Sequence, residues 1–195
     1  YQALGSAVTL LEVAPNILPA EDSDISALAA EALAQRGINV QVGQGLQALT
    51  SLADCVEATI AGETIQFDAA ILSVGVAARV QGLGLEALGI TMDRGFIVVD
   101  ERQQTSIAGI YAIGDVAGAP CLAHKATHEA MIAAETIAGH AVQGLQRDRI
   151  PGCTYSFPQI ASIGLREQDA GDRAVRVGRF PLYANGKAVV SGHTE

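Results

Sequence analysis

Continuous aliphatic runs alternate along the chain with stretches whose apolar positions recur every three to four residues. That alternation predicts strands and helices in turn. Residues 6–13 (SAVTLLEV) are aliphatic and β-branched, as a buried parallel strand requires. A loop with Pro15 and Pro19 follows. Asp22 or Ser23 then suits the cap of a helix, and Ile25, Leu28, Ala29, Ala32 and Leu33 mark its apolar face. Arg36 falls in the last turn and Gly37 just past it. Residues 38–42 (INVQV) read as the next strand, so residues 6–42 form one βαβ unit. Residues 55–60 and 64–67 flank Gly62 as a hairpin, and residues 68–74 (DAAILSV) predict a buried strand ending at Gly75. Residues 82–85 read as loop, and residues 96–99 and 109–113 as short strands. A long helix is expected over residues 122–139, with a narrow stripe of Leu122, Ala126, Ala130, Ala133 and Ile137. Pro151 then opens a strand-rich tail.

Composition narrows this picture to an α/β protein. Of the 195 residues 49% are hydrophobic, enough for a buried core, and they are mainly aliphatic, with four Tyr, four Phe and no Trp. The net charge of −9 excludes the basic face that nucleic acid or an anionic membrane surface requires. No apolar run reaches the roughly 18 residues of a membrane-spanning helix. No signal peptide is recognisable, and Tyr1 opens in what reads as the end of a helix, so upstream sequence is expected. Cys55, Cys121 and Cys153 are far apart and lack metal-type spacing. They read as small buried thiols in a reducing cytoplasm.

Two acids carry candidate chemistry. Glu12 lies at the carboxyl end of the first strand. In a dinucleotide-binding βαβ unit an acid at a strand end accepts hydrogen bonds from the adenosine ribose and repels a 2′-phosphate, which favours NAD over NADP. An ordinary loop-edge glutamate is the plainer alternative. Asp115 ends the run TSIAGIYAIGDV (residues 105–116), where it can accept hydrogen bonds from a polyol such as the ribitol of a flavin. A simple turn aspartate is the alternative there. The amino end of the following helix carries partial positive charge and free N–H groups. Aimed at the N1–C2=O2 side of a flavin, it would stabilise the negative charge of the reduced ring.

Other motifs carry less. Residues 43–48 (GQGLQA) and 82–87 (GLGLEA) both match G-x-G-x-x-A. Neither has the setting of a phosphate loop: a crossover helix needs more than the roughly six residues between Ala48 and the next strand-like run, and no regular strand leads into Gly82. His124 and His128 stand at helical spacing beside Glu135, but no third ligand is evident, so a solvated face is favoured and no metal is expected.

The GDV string resembles the second FAD-binding signature of the pyridine nucleotide-disulfide oxidoreductases. Within that family, residues 121–125 (CLAHK) followed by His128-Glu129 are similar to the dihydrolipoamide dehydrogenase branch. Residues 1–6, 82–90, 94–100, 150–164 and 180–195 resemble it in the same order. The resemblance implies an α/β fold with a Rossmann-like FAD/NAD(P)-binding three-layer domain and the start of an α+β interface domain. Its parts would be residues 1–79 (NAD-binding), 80–149 (FAD-binding) and 150–195 (dimerisation). It implies that Asp115 bonds the FAD ribitol, that Cys121, Leu122, Ala123 and His124 lie near the flavin pyrimidine, that Glu12 binds the NAD ribose, that Leu46 lies beside the adenine and that Gly75 passes the nicotinamide half. The family often has Met at the position of Cys121 and Gly-Arg where Gly75-Val76 stands here, with Arg79 a nearby guanidinium.

The implied reaction is oxidation of protein-bound dihydrolipoamide with electrons passing through FAD to NAD⁺. The implied partners are a second copy of the chain, as a homodimer, and the lipoyl domains of 2-oxoacid dehydrogenase complexes. A mercuric- or glutathione-type flavin reductase is the alternative within the family, and a truncated NAD-binding or scaffold module the alternative outside it. The family's cysteine pair, CxxxxC, does not occur in the chain. Nor is His193 expected to be the family's catalytic base, because residues 191–195 (SGHTE) match a strand turn. The chain therefore reads as an internal piece that holds no catalytic residue, neither turns over substrate nor binds FAD tightly by itself.

Overall fold

The computed structural model describes residues 1–192 and residue 194. The polypeptide forms two compact units, Tyr1–Leu72 with Pro151–Glu195, and Ser73–Ile150.

In the first unit, strand β1 (Thr9–Glu12), helix α1 (Ser23–Gln35) and strand β2 (Asn39–Val42) make the expected βαβ unit. β1 and β2 are parallel, in register from Thr9 opposite Asn39 to Glu12 opposite Val42. β1 is shorter than its aliphatic run, and Val13 beyond it is exposed. Asp22 is the N-cap residue of α1, yet its carboxylate bonds elsewhere: Oδ1 accepts the Glu167 N–H at 2.6 Å. The buried side of α1 is centred on Ser26 and Ala29, whereas Leu28 is 60% exposed. The expected face was rotated because Ser26, a polar residue, is buried by donating to the Leu18 carbonyl. Past the end of α1, Gly37 takes φ +86° and Ile38 N–H returns to the Leu33 carbonyl, a turn that favours glycine.

Strands β3 (Leu46–Ser51), β4 (Val56–Ile60) and β5 (Glu63–Phe67) form an antiparallel meander. The hairpin around Gly62 is as expected, with Val56 opposite Phe67 and Ile60 opposite Glu63. β3 was not foreseen. It takes up the end of the GQGLQA run, so no helix follows those glycines.

Residues 68–74 do not form the expected strand. Ile71, Leu72 and Val74 are exposed, Val74 by 91%. A strand exists through its ladder of hydrogen bonds, and among the described residues no strand runs beside this segment.

The second unit contains helix α2 (Leu85–Leu88), which begins where a loop was expected to end, and the short antiparallel pair β6 (Met92–Asp93) and β7 (Phe96–Ile97). The strand expected over residues 109–113 is reduced to a single bridge between Gln104 and Tyr111. It leads into a 3-10 turn, Gly114–Ala117, and then helix α3 (Ala123–Ile137). Leu85, Ile90, Ile97, Ala112 and Ala117 are the core, with Val80, Val99 and Ile110 packed around them.

The tail belongs to the first unit. Strands β8 (Gly152–Thr154) and β9 (Ile160–Ser162) pair antiparallel, and Cys153, expected to be buried, is exposed on β8, while Cys55 and Cys121 are half-buried. After β9 come 3-10 turns and helix α4 (Gly186–Ser191), so the strand-rich expectation holds only for its start. Ser191 ends a helix rather than entering a strand turn, while His193 and Glu195 lie outside the described residues. The tail is bonded to the entry of α1. Gln168 Nε2 donates to the Glu21 carbonyl, Arg166 to the Pro19 carbonyl, and Arg179 bridges Asp24 and Glu167. The Arg36 guanidinium stacks 3.7 Å from the Phe157 ring centroid.

Candidate functional site

The parallel pair β1–β2 brings Glu12 to its carboxyl edge, which is where open α/β sheets receive ligands. Glu12 Oε1 accepts the Ala14 N–H at 2.7 Å, which fixes the carboxylate. Its second oxygen has no partner among the described residues and can accept from a diol. The Gly43 N–H donates to the Ala14 carbonyl, so the two strand ends are tied together beside the acid. Leu46 opens β3 a few residues further and is partly exposed. Glu12 and Leu46 thus share one unit. Gly75 belongs to the other, in an exposed extended run, with φ +117°.

The second candidate group lies wholly within the second unit. The 3-10 turn opens at Gly114, whose φ of +74° favours glycine. A Cβ there would stand 3.4 Å from Ala126 Cβ, so the turn and α3 are closely packed. Asp115 follows, exposed, and its carboxylate has no hydrogen bond among the described residues. Cys121 and Leu122 are half-buried, and Ala123 and His124 are exposed on the first turn of α3. Leu122 is the N-cap in an extended conformation, and no side chain caps that turn. Its N–H groups suit a negatively charged or carbonyl-bearing ligand.

What holds this group together is an ion pair that the apolar stripe of α3 did not reveal. Lys125 and Glu129, one helical turn apart, are the most buried large side chains, at 1% and 0% exposure. Lys125 Nζ donates to the Gly114 carbonyl at 2.9 Å and to the Gly118 carbonyl at 2.7 Å. Glu129 Oε2 accepts the Gly114 N–H at 2.7 Å, and Oε1 lies 3.3 Å from Lys125 Nζ without making a hydrogen bond. Arg147 donates from Nη1 to the Ala119 carbonyl, with Nη2 3.9 Å from Glu129 Oε1. Ile137, placed on the expected stripe, is instead exposed, and Ala133 is buried. The signal available in advance was the i, i+4 spacing of a lysine and a glutamate on the side of the helix that also carries Ala126 and Ala133. Among the described residues no group of three or more His, Cys, Asp or Glu is placed to hold a metal ion. Nor is any helix long and apolar enough to cross a membrane.

A parallel βαβ unit with a carboxylate at its mouth, and a Gly-Asp turn packed on the uncapped end of a helix, define a dinucleotide-binding α/β protein. Residues 1–130 match the family model described as pyridine nucleotide-disulphide oxidoreductase, and residues 150–195 match the dimerisation domain of the same family. The chain belongs to the pyridine nucleotide-disulphide oxidoreductase family, whose members use FAD and NAD(P). It is 48% identical to a dihydrolipoyl dehydrogenase of Zymomonas mobilis and 43% identical to one of Rhizobium etli, over its whole length in each case. It spans only 44% and 42% of those relatives. The crystal structure of LpdA from Mycobacterium tuberculosis superposes with a TM-score of 0.91 at 31% identity, covering all of this chain and 43% of that one. The flavoprotein disulfide reductase RclA from Escherichia coli superposes at 0.89 with 25% identity, covering 99% of this chain and 45% of that one.

Proposed function

We propose that the chain is the cofactor-binding and subunit-interface part of a flavoprotein that oxidises protein-bound dihydrolipoamide and passes the electrons through FAD to NAD⁺. The observation that carries this reading is the Asp115 carboxylate. It is exposed and unpaired among the described residues, in a turn fixed on the amino end of α3. The residues fit both cofactors. Asp115 can accept from ribitol hydroxyls, and the first turn of α3, residues Leu122, Ala123 and His124 with Cys121 before it, presents N–H groups to the flavin pyrimidine. Glu12 can accept from the ribose of NAD, its charge disfavouring a 2′-phosphate. Leu46 would flank the adenine and Gly75 the nicotinamide half. Bound FAD supplies a two-electron relay between a dithiol and a nicotinamide. The protein's part is to orient the ring and to stabilise negative charge on it through the helix end.

The same reading divides the chain at residues 79 and 149 into NAD-binding, FAD-binding and interface parts. The dimerisation-domain match supports a homodimer formed through residues 150–195, with lipoyl domains as the substrate-bearing partners and the cytoplasm as the compartment. The chain carries no CxxxxC pair, so these 195 residues alone would turn over no dithiol.

The test uses the protein at the full length its gene encodes. Bound FAD and NAD⁺-dependent oxidation of dihydrolipoamide are expected, with Asp115→Asn weakening FAD about tenfold or more. Reduction of mercuric ion or glutathione disulfide with no dihydrolipoamide turnover would move the protein to another branch of the family. Absence of flavin would remove the reading.

A further inference from the structure

We infer that Lys125 and Glu129 are positioning residues for the flavin: they fix the Gly114–Gly118 turn to α3 and thereby set the distance between Asp115 and the amino end of that helix. The inference rests on the flavin reading above. The backbone of this turn is irregular, with positive φ at both Gly114 and Gly118, so its polar groups lack a regular ladder. Buried backbone groups without partners are costly. Here both the N–H and the carbonyl of Gly114 bond to side chains of α3, and the Gly118 carbonyl bonds to the same ammonium. The turn is held at both ends by two residues of one helical face.

A buried ion pair is a poor way to gain stability, because desolvation offsets the attraction and apolar pairs of similar volume often do as well. Among the described residues this pair directs all three of its hydrogen bonds at the turn, which makes orientation its product. Gly114 is the residue before Asp115, so anchoring both of its peptide groups limits where the Asp115 carboxylate can point. That carboxylate has no side-chain bond of its own to aim it among the described residues. Lys125 also sits in the first turn of α3, beside His124. The two proposed flavin contacts, ribitol and pyrimidine, are therefore parts of one rigid body. Arg147 secures the far side of the turn through the Ala119 carbonyl.

The test uses the full-length protein, stripped of flavin and titrated with FAD, comparing Asp115→Asn, Glu129→Gln and the double variant. Each single variant is expected to weaken FAD about tenfold to hundredfold. The double variant should be within about threefold of the weaker single, because both changes remove one interaction. Glu129→Gln should also alter the visible circular dichroism of bound flavin, which a loss of stability alone does not. Full multiplication of the two effects would overturn the inference. So would a Glu129→Gln variant that melts earlier as apoprotein but binds FAD normally. If Asp115→Asn binds FAD normally, the flavin reading falls and the positioning role with it. If Asp115→Asn weakens FAD and Glu129→Gln does not, only the positioning role falls. Glu129→Asp keeps the charge and shortens the reach, and gives the same readout if Glu129→Gln does not fold. Failure of both to fold would assign the pair to folding and overturn the inference.

Discussion

Ion pairs join chain segments at the start of α3 and at the start of α1, and the two differ in almost every physical respect. At the start of α3, Lys125 and Glu129 are sealed from solvent and bond to backbone. At the start of α1, Arg179 reaches Asp24 and Glu167 across exposed surface. In the first case each charge has lost its water, so each partner is needed to offset the other. In the second, solvent screens the ions and competes for them. The lesson is that a count of ion pairs says little, whereas the loss of one member separates the two kinds.

Removing one buried charge should have the largest effect. Lys125→Met leaves the more distant Arg147 as the cation nearest Glu129 among the described residues, and is expected to cost about 3–5 kcal/mol in urea unfolding. A loss below about 1 kcal/mol would break the comparison. Gly114→Ala should come next. It puts a methyl 3.4 Å from Ala126 Cβ at φ +74°, with an expected cost of about 1–3 kcal/mol in the same assay. Because the clamp would still be present, that variant separates backbone strain from loss of charge.

Arg179→Ala should have the smallest effect, a small and constant loss at neutral pH that disappears in acid. Arg179 holds the Asp24 carboxyl below its ordinary value of 3.8, chiefly by hydrogen bonding. A lowered folded value means that the contribution is complete above about pH 3.8 and fades as pH falls through the lower value. Wild type and variant should therefore run parallel between pH 5 and 8 in thermal melts, roughly speaking. The small offset between them should close as pH falls below about 4, and about 1 M salt should shrink it at neutral pH. A large difference at neutral pH would show that exposure does not decide the matter.

The legible part of the fold was the part whose partners are close in sequence. The βαβ unit could be read because Gly37 and the aliphatic runs of β1 and β2 lie within one supersecondary unit. The β4–β5 hairpin could be read because its turn is at Gly62. Residues 68–74 have the same aliphatic signature as β1 but stand unpaired among the described residues, since pairing is a property of neighbours and not of the segment. Asp115 and the first turn of α3 were visible as a motif, and the structure brings them into one unit. The clamp was not foreseen, because a lysine and a glutamate one turn apart ordinarily mark a solvated face. Ser26 also misled, because its hydroxyl donates to the Leu18 carbonyl, a contact that no periodicity records.

The close approach of Gly114 to Ala126 has a consequence for how such chains can change. A methyl built on Gly114 would already touch Ala126 Cβ at 3.4 Å, with no room to spare between them. Enlarging residue 126 toward the turn would push on it, and no smaller residue exists at 114 to make room. Position 126 is therefore a gauge of how closely the turn and the helix can lie.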